Sequence, residues 1–402
     1  QALGYRAEII PVPGPSEPVE MYTSRDRTFP INAYPTYSAY VNQMYAYAAT
    51  YPNLCQIVDA GTTVNGKKIL FAKISDNISV HEAEPEVMYT ATIHGDETVG
   101  YILMLDLIEY LLTNYATDTR VQNLVNNLEI WINPNANPDG TYYLSDTTIS
   151  TTNSRRYNYN GIDLNRSFPD IWGGSTQAHQ IENTIMENIA NAHHFVLSAN
   201  FHGGAEVFNY PWDGSYTLHP ENNWYIDLGV DYLNSVHAVS PSTYMDDLYS
   251  GSIPGLTNGA AWYIVYGGRQ DWMNYHKQCK EVTIELSSTK LVTASTLPTY
   301  WNYNSDALLG YLEINQRFWK SEETTIRQRH LKHSRFQAVL IPVSLKILIL
   351  LLAIIAAIAL TLRRRKDTKH QDPGKQVRVR AKDRLTMVKV PAPRTISANE
   401  PG

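Results

Sequence analysis

Residues 86–112 read EVMYTATIHGDETVGYILMLDLIEYLL, and the fold turns on how this stretch divides. Glu86–Ile93 is an apolar run with the length of a buried strand. It breaks at Gly95, inside His94-Gly95-Asp96-Glu97. Beyond the break Val99, Ile102, Leu103, Leu107, Ile108, Leu111 and Leu112 recur at helical spacing. A strand that passes through a glycine into a helix is a βα unit. This one leaves two metal-ligand side chains at the carboxyl end of the strand, where α/β folds place their sites.

The alternation extends in both directions. Tyr37–Tyr51 predicts a helix, and Gln56–Lys73 a hairpin turning at Asn65-Gly66. Downstream, Leu128–Ile132 predicts a strand ending in the turn Asn137-Pro138-Asp139-Gly140. A helix over roughly residues 177–192 leads into the strand Phe195–His202. Cys279–Leu286 alternates as a strand, and Tyr300–Arg317 closes as a helix. Strands alternating with helices predict an α/β fold, a sheet with helices on both faces.

Composition narrows the class of partner. The 402 residues are 43% hydrophobic and 18% charged, enough for one large core plus appendages. The net charge of −6 hides two unlike parts. Residues 363–402 hold 12 Lys and Arg against 4 acids, and the remainder 21 against 35. The acidic portion offers nothing to neutralise phosphates, which argues against nucleic acid. Two cysteines, Cys55 and Cys279, exclude a disulfide framework and leave the redox compartment open.

The chain divides into five expected parts. Residues 1–33 contain PVPGPSEP and read as a leader or linker, and 34–318 as the catalytic domain. Residues 319–337 form a juxtamembrane stalk, and 338–362 a transmembrane helix. Within the span Ile347–Leu362 carries no charge, and extending it to the roughly 20 residues a bilayer needs encloses Lys346, which can snorkel to the interface. Arg363-Arg364-Arg365-Lys366 follows directly, so residues 363–402 are expected to be a disordered cytoplasmic tail, with the domain extracytoplasmic.

His-x-x-Glu spacing is a weak signal: 12 His in this composition give roughly 0.6 such pairs by chance, and three occur. His81/Glu84 falls in an acidic loop and His179/Glu182 in a polar helix, both read as solvated. His94/Glu97 alone stands where strand breaks into helix. A catalytic zinc needs three protein ligands and an open position, and His202, before Gly203-Gly204, is the best third. Glu285 ends an apolar strand and is a candidate base, an ordinary solvated strand-end carboxylate being the plain alternative. Arg155-Arg156 and Asn165-Arg166 sit in one loop. It is either a solvated surface or a set of planar guanidinium groups able to clamp a carboxylate in bidentate fashion.

These motifs together resemble the zinc metallocarboxypeptidases of the carboxypeptidase A/B family, and most nearly its subfamily of carboxypeptidases N, E, D and M. The resemblance covers about residues 34–318. Besides 94–97 and 137–140 it rests on Asp-Leu-Asn-Arg-Ser-Phe-Pro-Asp (163–170), His-Gly-Gly (202–204), Asn-Tyr-Pro-Trp-Asp (209–213), Thr-Asn-Gly-Ala-Ala-Trp-Tyr (257–263), Gly-Gly-Arg-Gln-Asp-Trp (267–272) and Glu-Val-Thr-Ile-Glu-Leu-Ser (281–287). It implies a mixed, mostly parallel twisted sheet of about eight strands. It also implies one zinc ion per chain on His94, Glu97 and His202, and a zinc-bound water activated by Glu285.

Arg156 matches the group that steadies the oxyanion. Asn165 and Arg166 match the pair that binds the terminal carboxylate, and Tyr263 the tyrosine that closes over substrate. Asp213 and Gln270 match residues lining a pocket for a C-terminal Lys or Arg, although Asp213 could instead cap the turn at Gly214. The implied activity is hydrolysis of the C-terminal bond of peptides and proteins by a monomer.

Two features depart from the subfamily pattern: Asp96 stands where Asn is usual, and no transthyretin-like module follows the domain. A related zinc amidohydrolase, acting on peptidoglycan stems or amino-acid conjugates, is the rival within enzymes. A binding or adhesion ectodomain on the same scaffold is the rival outside them.

Overall fold

The computed structural model describes residues 15, 19–24, 28–250 and 253–314. All fall in one compact unit, Gln1–Thr325. The expected stalk, span and tail lie outside the described residues, among which no helix is long and apolar enough to cross a membrane.

Eight strands make the body of the sheet: β1 (Cys55–Thr62), β2 (Lys68–Ile74), β3 (Glu86–Ala91), β4 (Glu129–Asn133), β5 (Phe195–His202), β6 (Ala205–Tyr210), β7 (Leu256–Asn258) and β8 (Lys280–Ser287). Their spatial order is β7-β6-β8-β5-β3-β4-β2-β1. The block β8-β5-β3-β4 is parallel throughout, as is the edge pair β7-β6. The pairings β6-β8, β4-β2 and β2-β1 are antiparallel. Two-residue strands at 249–250 and 253–254 extend the β7 edge, so the sheet counts ten strands in all.

Side-chain alternation assigns the faces. Leu70, Ala72, Val87, Tyr89, Ile130 and Ile132 point into one core, and Ile69, Phe71, Met88 and Trp131 into the other. The first core is covered by α1 (Tyr37–Thr50), α2 (Val99–Asn114), α3 (Thr119–Val125), α5 (Asn222–His237) and a helix over residues 297–314. The second is covered by α4 (Ile181–Ala192) and α6 (Arg269–His276). The result is a three-layer α/β domain.

Helix α2 is apolar nearly all round, which marks a helix buried on most of its surface. Even Asp106 within it is fully buried, accepting the Ile31 amide at 3.0 Å. Each fully buried Leu or Ile of this helix contributes about 1.5–3 kcal/mol.

Two local expectations shift. Helix α4 begins at Ile181 rather than near Gln177, because the preceding residues bond elsewhere: the Gln177 amide donates to the Arg166 carbonyl, and its side chain accepts the Asp163 amide. Part of the stretch expected as a leader packs on the domain. Met21–Tyr22 pairs with Tyr34–Pro35, and Val19 and Ile31 are buried.

Candidate metal centre and substrate cleft

The register of the parallel block brings the site together. His202 and Glu285 are direct Cα partners across β5 and β8, and Ala91 partners Phe201 across β3 and β5. Beyond Ala91 the chain turns sharply. Thr92 adopts φ 63°, a conformation that costs a β-branched residue about 1–3 kcal/mol. Its hydroxyl donates to the Glu97 carbonyl at 3.0 Å, which closes the loop that carries His94 and Glu97. Gly95 is required by contact: a β-carbon there would lie 2.3 Å from the backbone at Gly140 and Thr141. The two turns, 94–97 and 137–140, therefore touch backbone to backbone, which no side chain at position 95 permits.

His94, Glu97 and His202 are buried together, their ligand atoms all within 4.8 Å of one another. Glu97 Oε2 lies 3.0 Å from His94 Nδ1 and 2.8 Å from His202 Nδ1, and the two ring nitrogens are 3.1 Å apart. Zinc bound at about 2.0–2.2 Å in tetrahedral geometry separates its ligands by roughly 3.3 Å, so the donor set fits such an ion. The far ring nitrogens are held as well. His94 Nε2 meets Asp163 Oδ1 at 3.1 Å, and His202 Nε2 meets the Asn200 amide at 2.8 Å. Ligand imidazoles characteristically have such partners.

Charge supports the same fit. Asp163 is paired with Arg156 and Asp96 with Lys290, and Glu97 contributes the triad's own negative charge. Burial works against ionised Glu97, but the charge of His94 and the hydrogen bond from His202 hold its carboxyl well below the usual range. Burial lowers the His202 imidazole to about 4, so it is neutral and able to ligate at neutral pH.

Two other groups of side chains also approach within metal-binding distance: His81 with Glu86 and Glu129, and Asp76 with Glu82 and Glu84. In the first the acids are already committed, Glu129 to Lys73 and Trp131 and Glu86 to His193. Glu182, expected to be solvated, is buried and accepts from Val64 N and Asn158.

One cleft joins the triad to the remaining candidates, being lined by His94, His202, Arg156, Asn165, Asp213, Tyr263 and Glu285. Glu285 is 8% exposed, and its Oε2 has no hydrogen-bond partner in the structure. Burial first, then the charge of Glu97, pushes its carboxyl well above the usual range. Arg156 donates from Nε to Asp163 Oδ2 at 2.8 Å, and its carbonyl is pinned by Gly95 N and Asn137 Nδ2. Asn165 Oδ1 accepts the Arg269 amide at 2.8 Å, which leaves its NH2 as the end available to the cleft.

Arg166 donates to the Asn165 carbonyl and lies 6.0 Å from the Tyr263 ring. Tyr263 itself is 45% exposed at the end of the single helical turn Gly259–Trp262. Asp213 is buried, with Oδ1 accepting from Asn209 Nδ2 (3.0 Å) and Gln270 Nε2 (2.8 Å). A β-carbon at Gly259 would fall 1.8 Å from that oxygen. The turn at Gly214 is held by Asp271 rather than by the Asp213 side chain: Asp271 accepts both the Asp213 and the Gly214 amides.

Of the candidate residues, His94, His202, Arg156, Asn165, Asp213, Tyr263 and Glu285 line the cleft, while Glu97, Gln270 and Arg166 stand behind it, bonded to or near its lining residues. The structure adds Asp163, Asp271 and Lys290, to which the sequence reading gave no role. Asp163 had a signal, lying inside the quoted motif two residues before Asn165. Lys290, three residues beyond the quoted motif 281–287, had none.

Fold and site together define a single-cation centre at the carboxyl ends of three parallel strands in a three-layer α/β domain. The zinc carboxypeptidase family matches residues 40–307. The chain is 38% identical over 276 residues to carboxypeptidase D of Mus musculus, covering 66% of this chain and 20% of that protein. It is 33% identical over 279 residues to carboxypeptidase M of Mus musculus, 66% of this chain and 62% of the relative. Against the carboxypeptidase N catalytic chain of Homo sapiens it is 31% identical over 312 residues, 69% and 68% of the two chains. The chain therefore spans about a fifth of the length of the carboxypeptidase D it matches. The crystal structure of carboxypeptidase A from Helicoverpa armigera shares the fold at TM-score 0.60 and 20% identity, over 72% of this chain and 76% of that one. This chain belongs to the zinc carboxypeptidase family.

Proposed function

We propose that the chain is a zinc-dependent carboxypeptidase that hydrolyses the C-terminal bond of peptides and proteins, releasing Lys or Arg. The observation that carries this reading is the cleft lined by His94 and His202 of the buried triad, by Glu285 with its unpartnered Oε2 and by the Arg156 and Asn165 donors. His94, Glu97 and His202 would hold one zinc ion, which when bound supplies Lewis-acid polarisation and a nucleophile at neutral pH.

Glu285 Oε2 accepts the proton of the attacking water and returns it to the leaving amine, and its burial raises its basicity for that task. The Arg156 guanidinium, oriented by Asp163, stabilises negative charge developing on the scissile carbonyl oxygen. Asn165 and Arg166 take the free carboxylate that marks a chain terminus. Tyr263 covers the bound residue, excluding water. Asp213, its orientation fixed by Asn209 and Gln270, pairs with a cationic side chain and disfavours an apolar one.

Hydrolysis of blocked dipeptides ending in Arg, Lys, Phe and Glu, with and without chelator, tests the reading. Arg and Lys should be released, and only with metal present. Turnover that survives complete zinc removal overturns the chemistry, and a preference for Phe overturns the role of Asp213. Cleavage confined to γ-D-glutamyl bonds would favour an amidohydrolase instead.

We further propose that residues 338–362 anchor a monomeric domain outside the cytoplasm, with residues 363–402 inside. The charge-free run 347–362 and the adjoining cluster Arg363–Lys366 support this. Extraction of the full chain by alkaline carbonate, without detergent, would overturn the anchor.

A further inference from the structure

Lys290 stands beside the triad and has no part in the mechanism above. It follows β8 by three residues, and it is fixed at both ends. Its carbonyl accepts the Thr98 amide at 3.0 Å, which ties the segment to the start of α2. Its ammonium lies 2.9 Å from Glu97 Oε1 and 3.3 Å from Asp96 Oδ1. The other oxygen of Glu97, Oε2, is the one facing both imidazoles. A carboxylate on a flexible stem presents either oxygen and several torsions to a ligand. With Oε1 held by an ammonium, only Oε2 remains to face the ring nitrogens.

An ammonium so close to a cation site would by itself repel the ion. Asp96 removes that cost. Its two oxygens lie 3.3 and 3.4 Å from Lys290 Nζ, so acid and base form a neutral pair. Arg156 Nη1 approaches the same Glu97 oxygen only to 3.6 Å, and its Nε is engaged by Asp163 at 2.8 Å, so Lys290 is the nearer hold.

We propose that Lys290 is a positioning residue for the ligand Glu97, with Asp96 as its charge partner. The proposal rests on the assignment of the triad as a zinc site. Partners of this kind typically govern metal affinity, and their loss weakens it by about 10–100-fold.

The test measures the zinc dissociation constant of the purified full chain by chelator competition. Two variants are compared with the parent: Lys290→Arg, and the double variant Asp96→Asn/Lys290→Met, which leaves net charge unchanged. The double variant should bind zinc 10–100-fold more weakly, while Lys290→Arg stays within about threefold of the parent. Thermal unfolding of the chelated proteins is measured alongside, so that what the ion pair contributes to the fold is separated from what it contributes to zinc binding. Parental zinc affinity in the double variant overturns the proposal, because charge would then explain everything Lys290 does. A loss in Lys290→Arg as large as in the double variant overturns it too. Zinc affinity that depends on Lys290 in a chain releasing no C-terminal residue would overturn the peptidase reading and leave this one standing.

Discussion

Two carboxylates in one cleft face opposite demands, and their surroundings separate them. Glu97 is held ionised by its imidazole partners, whereas burial and the charge of Glu97 itself raise Glu285. Glu285→Gln keeps the shape and removes the proton carrier. Its kcat on a blocked Arg dipeptide should fall by about 10²–10⁴-fold while bound zinc, measured by metal analysis, stays at the parental level. A variant within tenfold of the parent would remove Glu285 from proton transfer.

Asp213 yields a pH prediction. Burial and then the charge of Asp271 raise its carboxyl well above 3.8. A raised folded-state pKa contributes stability below the unfolded value that is lost as pH rises through the folded one. Asp213→Asn should therefore match the parent in Tm below pH 4 and exceed it at pH 7, while losing the preference for Arg and Lys. Equal Tm values at both pH extremes would show that Asp213 carries no such cost.

At the scale of elements, helix α6 is joined to the sheet by a fully buried ion pair. Arg269 Nη2 lies 2.9 Å from Glu281 Oε2 on β8, both residues at 0% exposure, with Ser198 on β5 completing the bonds. The same Arg269 donates its amide to Asn165, so the pair braces the helix whose first turn fixes that side chain in the cleft wall. Removing one partner leaves a buried unpaired charge. Glu281→Gln should cost about 3–5 kcal/mol in urea unfolding, and replacing both residues by apolar ones should cost less. A single substitution as mild as the double one would mean that the pair is not coupled. The helix pattern around residue 269 gave no sign of this, since an arginine in a polar stretch reads as solvated until a glutamate from a distant strand is laid against it.

For the whole molecule, the buried triad links the loop after β3 to the end of β5, so an ion binding the folded form alone stabilises the domain by mass action. Free zinc at about a thousandfold above its dissociation constant adds roughly 4 kcal/mol. Chelation should accordingly lower Tm by about 10 °C, and added zinc should restore it. A Tm indifferent to chelator would mean that the triad holds no ion at equilibrium. The described part of residues 1–33 packs against this same body, so the domain extends upstream of the first expected helix.

What the sequence determined by itself was local and periodic. Apolar runs of strand length beside 3.6-residue patterns set the βα alternation. The glycine in His94-Gly95-Asp96-Glu97 marked the strand-to-helix break, and ordered motifs pointed to His94, Glu97 and His202, which the fold buries together. What only the tertiary structure decided was pairing at a distance. The register that sets His202 against Glu285 depends on strands some eighty residues apart in sequence. The hold of Asp163 on Arg156 and His94, of Arg269 on Glu281, and of Lys290 on Glu97 are through-space electrostatics between residues whose own neighbours in the chain look ordinary. His94-x-x-Glu97 was legible because one loop supplies both groups. Lys290, which reaches Glu97 from across the sheet, was not.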